Sequence, residues 1–220
     1  MKRFYNTYIE KFHSQPTSIL EIGSRDGNDA EELRVHSQLE PNNVYVVEPH
    51  PQTFKDIVIK YPDFHVYQFA ISNKPGVVDF NAIPQDKYTQ AQVGTSSLLH
   101  RNTQLMGNIP PTWVKVLAVT GSTLLQLINR FEIDLIKIDV EGFTQEVLES
   151  FRDDIRSLKA LHLEVEIFPL TLWEGQKHYD EIKRYMMWYG FEEKYYDGKY
   201  WPLMNTGENL QGDSIWVRNG

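Results

Sequence analysis

The chain of 220 residues contains no cysteine. That excludes disulfides, thiolate catalysis and cysteine-ligated zinc or iron–sulfur centres, and leaves the chemistry to oxygen and nitrogen groups. No apolar run reaches the roughly eighteen residues of a membrane span, and no charged–apolar–small export signal opens the chain. Neither a span nor export is therefore expected, and a cytoplasmic location is the default. Basic residues are few: 22 Lys and Arg face 30 Asp and Glu, a net charge of −8. This argues against a broad electrostatic grip on nucleic acid, which draws its affinity from Lys and Arg on phosphates. The chain also lacks internal repeats, low-complexity tracts and an interdomain linker. With 41% hydrophobic residues it has enough apolar material for one well-buried core, and a single domain over 1–220 is expected. Oligomeric state is left open, a homo-oligomer included.

What is present starts at residues 17–27, TSILEIGSRDG. Ser18 to Ile22 reads as a strand bounded by Pro16 and Gly23, and Asn28 to His36 as the helix that follows. The loop Gly23-Ser24-Arg25-Asp26-Gly27 then sits at a strand–helix junction, where glycines let backbone approach a ligand and free N–H groups favour electronegative atoms. Its G-x-x-x-G spacing is neither the G-x-G-x-x-G of dinucleotide sites nor a phosphate loop with its Lys. A second strand-like run, Val44 to Val47, ends in Glu48-Pro49, 27 residues after Glu21. In open α/β sheets a carboxylate at that place takes the two ribose hydroxyls of a cofactor. No Lys/Arg cluster stands near the loop to hold a pyrophosphate, and a sulfonium with its amino group prefers acids such as Glu21 and Asp26. Together these features point to S-adenosylmethionine.

Around this unit the chain is expected to run as follows. Residues 1–16 form an amphipathic N-terminal helix through Phe4, Tyr8 and Phe12. Residues 51–60 are helical, and Phe64 to Phe69 is a third strand that runs into Ala70-Ile71-Ser72, a turn where an adenine could lie against Ile71. Residues 76–113 read as an insertion: a strand from Gly76 to Ile83, a polar stretch from Gln85 to Gln92 that could serve as a lid, and a Gly94–Ser97 loop. Ser122 or Thr123 is expected to cap a helix through Leu124, Leu125 and Ile128. Residues 167–220 supply substrate-side elements, with an exposed aromatic loop from Phe168 to Trp173 and a closing antiparallel pair, Phe191–Tyr196 with Ser214–Arg218.

The other chemically dense segment is Ile133 to Gly142, where Lys137, Asp139 and Glu141 alternate along an apolar run. Period two puts them on one face near the strand's end. Unpaired and buried they would cost several kcal/mol each, so they pair together, bind something or face a solvated cleft. The expectation is that Asp139 belongs to the transfer chemistry, as base or as orienter of the acceptor, and is not half of an ion pair with Lys137. Lys137 would orient a carboxylate or the acceptor, with Glu141 beside it. In 160–166, ALHLEVE, His162, Glu164 and Glu166 share a face that a mostly solvated strand would explain. If that strand lies beside Asp139, then Asp139, Glu141 and Glu164 form an oxygen set suited to a hard cation such as magnesium.

Five stretches, LEIGSRDG, VVEPHPQTF, AISNKPGVVDF, GTSSLL and IKIDVEGFTQEVL, resemble the FkbM-type S-adenosylmethionine-dependent methyltransferases over most of 17–165. The chain differs from the usual pattern at Ser24-Arg25, Leu125 and Thr144. The resemblance implies a Rossmann-like, mostly parallel seven-stranded sheet with helices on both faces. It also implies methyl transfer to an oxygen, often on a sugar, glycan or glycosylated product. The cofactor residues would be Glu21, the 23–27 loop, Glu48, Pro49, Ala70, Ile71, Ser72 and Asp139. Two alternatives remain from the residues alone: a noncatalytic binding or assembly subunit keeping the fold, against which Glu21, Glu48 and Asp139 together argue, and a nicotinamide-dependent reductase, disfavoured by the missing G-x-G-x-x-G.

Overall fold

A computed structural model describes residues 1–110, 112–130, 132–167, 171–202 and 209–219. In chain order the elements are α1 (Lys2–Phe12), β1 (Ile19–Ile22), α2 (Asn28–Ser37), β2 (Val44–Val47), α3 (Pro51–Lys60), β3 (His65–Tyr67), β4 (Ala70–Ile71) and β5 (Gly76–Asn81). The short helices α4 (Gln90–Gly94) and α5 (Thr103–Met106) lead to β6 (Trp113–Val119), α6 (Gly121–Leu127), β7 (Leu135–Ile138) and α7 (Thr144–Ser150). The chain closes with β8 (Ala160–Glu166), α8 (Tyr179–Trp188), β9 (Phe191–Pro202) and β10 (Asn209–Arg218).

Seven strands form one sheet in the order β3-β2-β1-β7-β8-β10-β9. All neighbours from β3 to β8 run parallel, while β10 is antiparallel to both β8 and β9. The expected closing pair is thus present, with longer strands than the sequence suggested. A second, smaller sheet, β4-β6-β5, stands against it. The central strands are continuous apolar runs because both their faces are covered. Leu20, Ile22, Ile136 and Ile138 pack under α6, α7 and α8 through Leu124, Leu148 and Met186. Ile19, Val46 and Leu135 pack under α1, α2 and α3 through Phe4, Tyr8, Leu33 and Ile57. No helix among the described residues is long and apolar enough to cross a membrane.

Local expectations are corrected at the cap of α6, the polar face of β8 and Trp173. The cap of α6 is Thr120, whose side chain accepts from the Thr123 N–H, not Ser122 or Thr123. The polar stretch before Gly94 contributes a short helix, capped by Thr89 and Gln92. The face of β8 carrying His162 and Glu166 is not solvated: the two are 7% and 1% exposed. They lie on the α1 side of the sheet, where Phe4 packs on the His162 ring at 5.6 Å. Phe168, Pro169 and Leu170 of the expected aromatic loop lie outside the described residues. Trp173 is buried, not exposed.

Candidate active site

Parallel strands deliver their carboxyl ends to one edge of the sheet, and the turns after β1, β2 and β7 meet there. Gly23 leaves β1 at φ +81°, its N–H donating to the Val47 carbonyl at 2.9 Å. A Cβ on Gly23 would lie 1.8 Å from the Asp139 carbonyl oxygen, so this glycine is required by the crossing of two chain segments before any ligand arrives. Gly27, at φ +73°, precedes α2 and packs on the Tyr61 ring. It does not line the cavity, and neither does Ser72, whose hydroxyl accepts from the Lys74 N–H.

Glu48 is held by the loop opposite. One carboxylate oxygen accepts from the Ser24 and Arg25 N–H groups at 3.1 and 3.0 Å, the other from the His50 N–H at 2.7 Å. Burial pushes its carboxyl up to about 7 despite those donors. His50 is a site residue that sequence reasoning passed over. Its Nδ1 caps α3 by accepting from the Gln52 N–H, so Nε2 carries the proton, which it gives to the Ile83 carbonyl at 3.0 Å. The ring thereby ties the cofactor shelf to the segment after β5. Its place just before Pro51, at the start of a helix, is the one signal the sequence held for it.

At the next strand Glu21 and Lys137 are register partners across β1 and β7. Glu21 accepts from the Ser24 hydroxyl at 2.6 Å and lies 3.6 Å from the Lys137 ammonium. Burial raises its carboxyl to about 7, against the pull of Lys137. The ammonium also reaches Asp29 at 2.7 Å and Asp139 at 2.8 Å. Burial opposes the charge on Lys137, but Asp139, Glu21 and Asp29 outweigh it and hold the group well above its usual range. The expectation that Asp139 stands apart from an ion pair is therefore wrong. Lys137 outweighs burial and sets the Asp139 carboxyl below its usual range, which makes it a poor base. Asp29 was missed because only the folded sheet brings α2 over Lys137.

Nor do Lys137, Asp139 and Glu141 continue one strand. β7 stops at Ile138, and Glu141 and Gly142 turn through φ 53° and 88°. The turn is gripped from two sides: the Ser97 hydroxyl donates to the Glu141 carbonyl at 2.7 Å, and a Cβ on Gly142 would meet the Trp173 ring at 2.5 Å. β8 lies beside β7, so Glu164 does approach Asp139 and Glu141, and ligand atoms of the three fall within 4.8 Å of one another. Burial, with Asp139 and the neighbouring glutamates adding to it, pushes Glu141 and Glu164 well above the usual carboxylate range.

Between these turns lies an open cavity of about 140 Å³. Its floor is Glu21 and the loop from Gly23 to Asp26, and one wall is Glu48, Pro49 and His50. Ala70, Ile71, Phe80 and Leu98 make an apolar slot, and Lys137, Asp139, Glu141 and Phe143 close the far end. Such a chamber suits a cofactor with an apolar ring, a diol and a cationic end: slot, Glu48 and the acids beside Asp139 answer these in turn.

A mostly parallel seven-stranded sheet with its last strand reversed and helices on both faces, opening on this cavity, is the class I S-adenosylmethionine-dependent methyltransferase architecture. The methyltransferase FkbM domain matches residues 21–196, and the chain belongs to the FkbM family of S-adenosylmethionine-dependent methyltransferases. The fold is shared with methyltransferase FkbM from Methylobacillus flagellatus KT, at TM-score 0.54 and 12% identity over 99% of this chain and 50% of that one. This chain thus spans half the length of that protein. An S-adenosylmethionine-dependent methyltransferase from Clostridium acetobutylicum ATCC 824 is similar at TM-score 0.51 and 8% identity, over 100% of this chain and 91% of that one. No curated protein matches the chain.

Proposed function

We propose that the chain methylates a hydroxyl of a neutral, polyhydroxylated acceptor, a sugar, glycan or glycosylated small molecule. The observation that carries this reading is the carboxylate face of Asp139 and Glu141 at the far end of the cofactor cavity. Carboxylates accept hydrogen bonds from hydroxyls, whereas a phosphate-rich acceptor would meet repulsion there and a net charge of −8 on the whole chain. When bound, S-adenosylmethionine would supply the methyl group to the acceptor oxygen, and the hydroxyl proton would pass to the Glu141 carboxylate.

The residues divide that work. Glu48, fixed by the Ser24, Arg25 and His50 amides, would take the ribose hydroxyls. Ile71 and Phe80 would flank the adenine, and Asp139, kept ionised by Lys137, would face the cationic end. Glu141 is then the group that meets the acceptor hydroxyl, because it lines the cavity and its carboxyl has the higher proton affinity. Residues 76–113 contribute Phe80, Val93, Ser96 and Leu98 to the cavity wall, in the place a cover over the reaction would occupy.

Calorimetry with S-adenosylmethionine, S-adenosylhomocysteine and NADH comes first, followed by transfer of labelled methyl from S-adenosylmethionine to glycosides and to RNA. Binding of the first two ligands with label on glycosides is expected. Label on RNA would overturn the acceptor class, binding without transfer to any hydroxyl would favour the assembly subunit, and NADH binding alone would favour the reductase.

A further inference from the structure

Beyond Asp139, the structure gathers more carboxyl groups than its own cations could neutralise. Lys137 is spent on Glu21, Asp29 and Asp139. Among the described residues no Lys, Arg or His nitrogen comes within 4.0 Å of Glu141, Glu164 or Glu166. Arg101 exerts only a longer-range pull on Glu141. The sulfonium cannot answer this charge, because Glu164 and Glu166 do not line the cofactor cavity.

Glu166 is the independent sign that something is missing. It is 1% exposed, on the same face of β8 as Glu164, and no donor meets either carboxylate oxygen in full hydrogen-bond geometry, although the Gly142 amide and the Gln211 side chain lie near enough to lower its carboxyl. Glu141 and Asp139 both act on the Glu166 carboxyl, and the Gly142 amide beside Glu141 reaches it, so this buried side chain lies next to the cluster. One oxygen of Glu164 is likewise buried without a partner. Unsatisfied buried carboxylates are costly, and evolution tolerates them where a ligand completes them.

We infer that Asp139, Glu141 and Glu164 bind one hard divalent cation, with Glu166 as an outer-shell carboxylate, and that this cation receives the acceptor's hydroxyl. The three ligand atoms within 4.8 Å of one another leave room for an ion with oxygens at roughly 2.1 Å (magnesium) to 2.4 Å (calcium). With only oxygen donors and no cysteine, the set suits magnesium, calcium or manganese and not zinc. The remaining positions on the ion are open to water or to a vicinal diol, and coordination would lower the hydroxyl's proton affinity as it does for metal-bound water. The inference rests on the O-methyl transfer proposed above and names the ion that prepares its acceptor.

The test uses Mn²⁺ as probe, read by electron paramagnetic resonance on the chelator-treated full chain with S-adenosylhomocysteine present. One bound Mn²⁺ per chain, displaced by Mg²⁺ or Ca²⁺, is expected. Glu164→Gln should weaken Mn²⁺ at least about tenfold, in line with loss of a ligand-shell group, while its S-adenosylhomocysteine affinity by calorimetry stays at the parent value. Glu141→Gln provides the Mn²⁺ reading alone should the first variant not fold. No bound Mn²⁺, or equal Mn²⁺ affinity in a folded Gln variant, overturns the cation site and leaves the methyltransferase reading standing. Loss of S-adenosylhomocysteine binding in the parent would instead strike the cofactor reading.

Discussion

The two ends of β7 carry buried acids in opposite states. At the amino end Asp134, 2% exposed, accepts from the Thr17 N–H and hydroxyl at 2.5 and 2.7 Å, from the Tyr8 hydroxyl at 3.1 Å, and pairs with Lys159 at 2.7 Å. Burial is outweighed there and the carboxyl sits below its usual range. At the carboxyl end Glu141, Glu164 and Glu166 have carboxyls raised by burial and by one another. At the far end of the four-residue strand β7 from the cavity, a buried acid is given its donors; at the cavity end, oxygens of Glu164 and Glu166 lack them. The first arrangement stabilises the fold, and the second is the one that the proposed cation would complete.

The sharpest way to break this contrast is to remove an acid from each end. Asp134→Ala strands the Thr17 and Tyr8 donors, while the partly exposed Lys159 keeps water and Glu132, so urea melts should show a loss of roughly 1–3 kcal/mol. Cofactor affinity of the folded fraction should be unchanged, and a loss under 1 kcal/mol (about a factor of five) would make the amino end no better than surface.

pH separates the ends next. Asp134 has a folded value below its ordinary 3.8, so its contribution is complete above that value and disappears as pH falls through the folded one. Glu21 and Glu48 behave in reverse. Unfolded, they release protons near 4.5, and folded, near about 7, so between these values the folded state holds the extra protons and stability falls as pH rises. The ligand-free protein should therefore be most stable near pH 5, with a decline on the order of 5 kcal/mol by pH 7.5 from these two groups. Cofactor binding should release protons in that window, visible as a buffer-dependent calorimetric enthalpy. A flat melting profile from pH 5 to 7.5 would contradict it.

Smaller effects sharpen the comparison. Glu48→Gln should weaken S-adenosylhomocysteine by about 1–3 kcal/mol, since one charge-assisted set of hydrogen bonds is lost. Measured above pH 8, where the Glu166 carboxyl is ionised, Glu166→Gln should raise the melting temperature by the equivalent of about 1 kcal/mol, because it removes a buried charge with no cation beside it. A melting drop for Glu166→Gln would mean that the carboxylate is already satisfied.

Much of the frame was legible because buried parallel strands read as plain apolar runs: Ile19–Ile22, Val44–Val47 and Leu135–Ile138 were all visible, with the glycine turn and Glu48 at their ends. The misreadings have a common physical source. Alternation in 160–166 normally means one wet face, yet here the polar face is buried because His162 registers with Lys137 across β7, a pairing no local pattern states. Asp29 reaches Lys137, and Trp173 covers Gly142, across separations that only the sheet closes. With Thr120, Ser122 and Thr123 crowded together, the cap of α6 was ambiguous within one turn.

The pairing of β1 with β7, in register from Ile19–Leu135 to Ile22–Ile138, also sets how the chain comes into being. During synthesis β1, β2 and β3 emerge first, but the inner edge of β1 has no strand to meet until more than a hundred residues later. Until then an apolar parallel edge is bare, the kind of surface on which chains pair with one another instead of with themselves. Folding dominated by so distant a contact is slow, and a chain stopped before Leu135 would expose that edge permanently. Fragments ending before β7 should aggregate on expression.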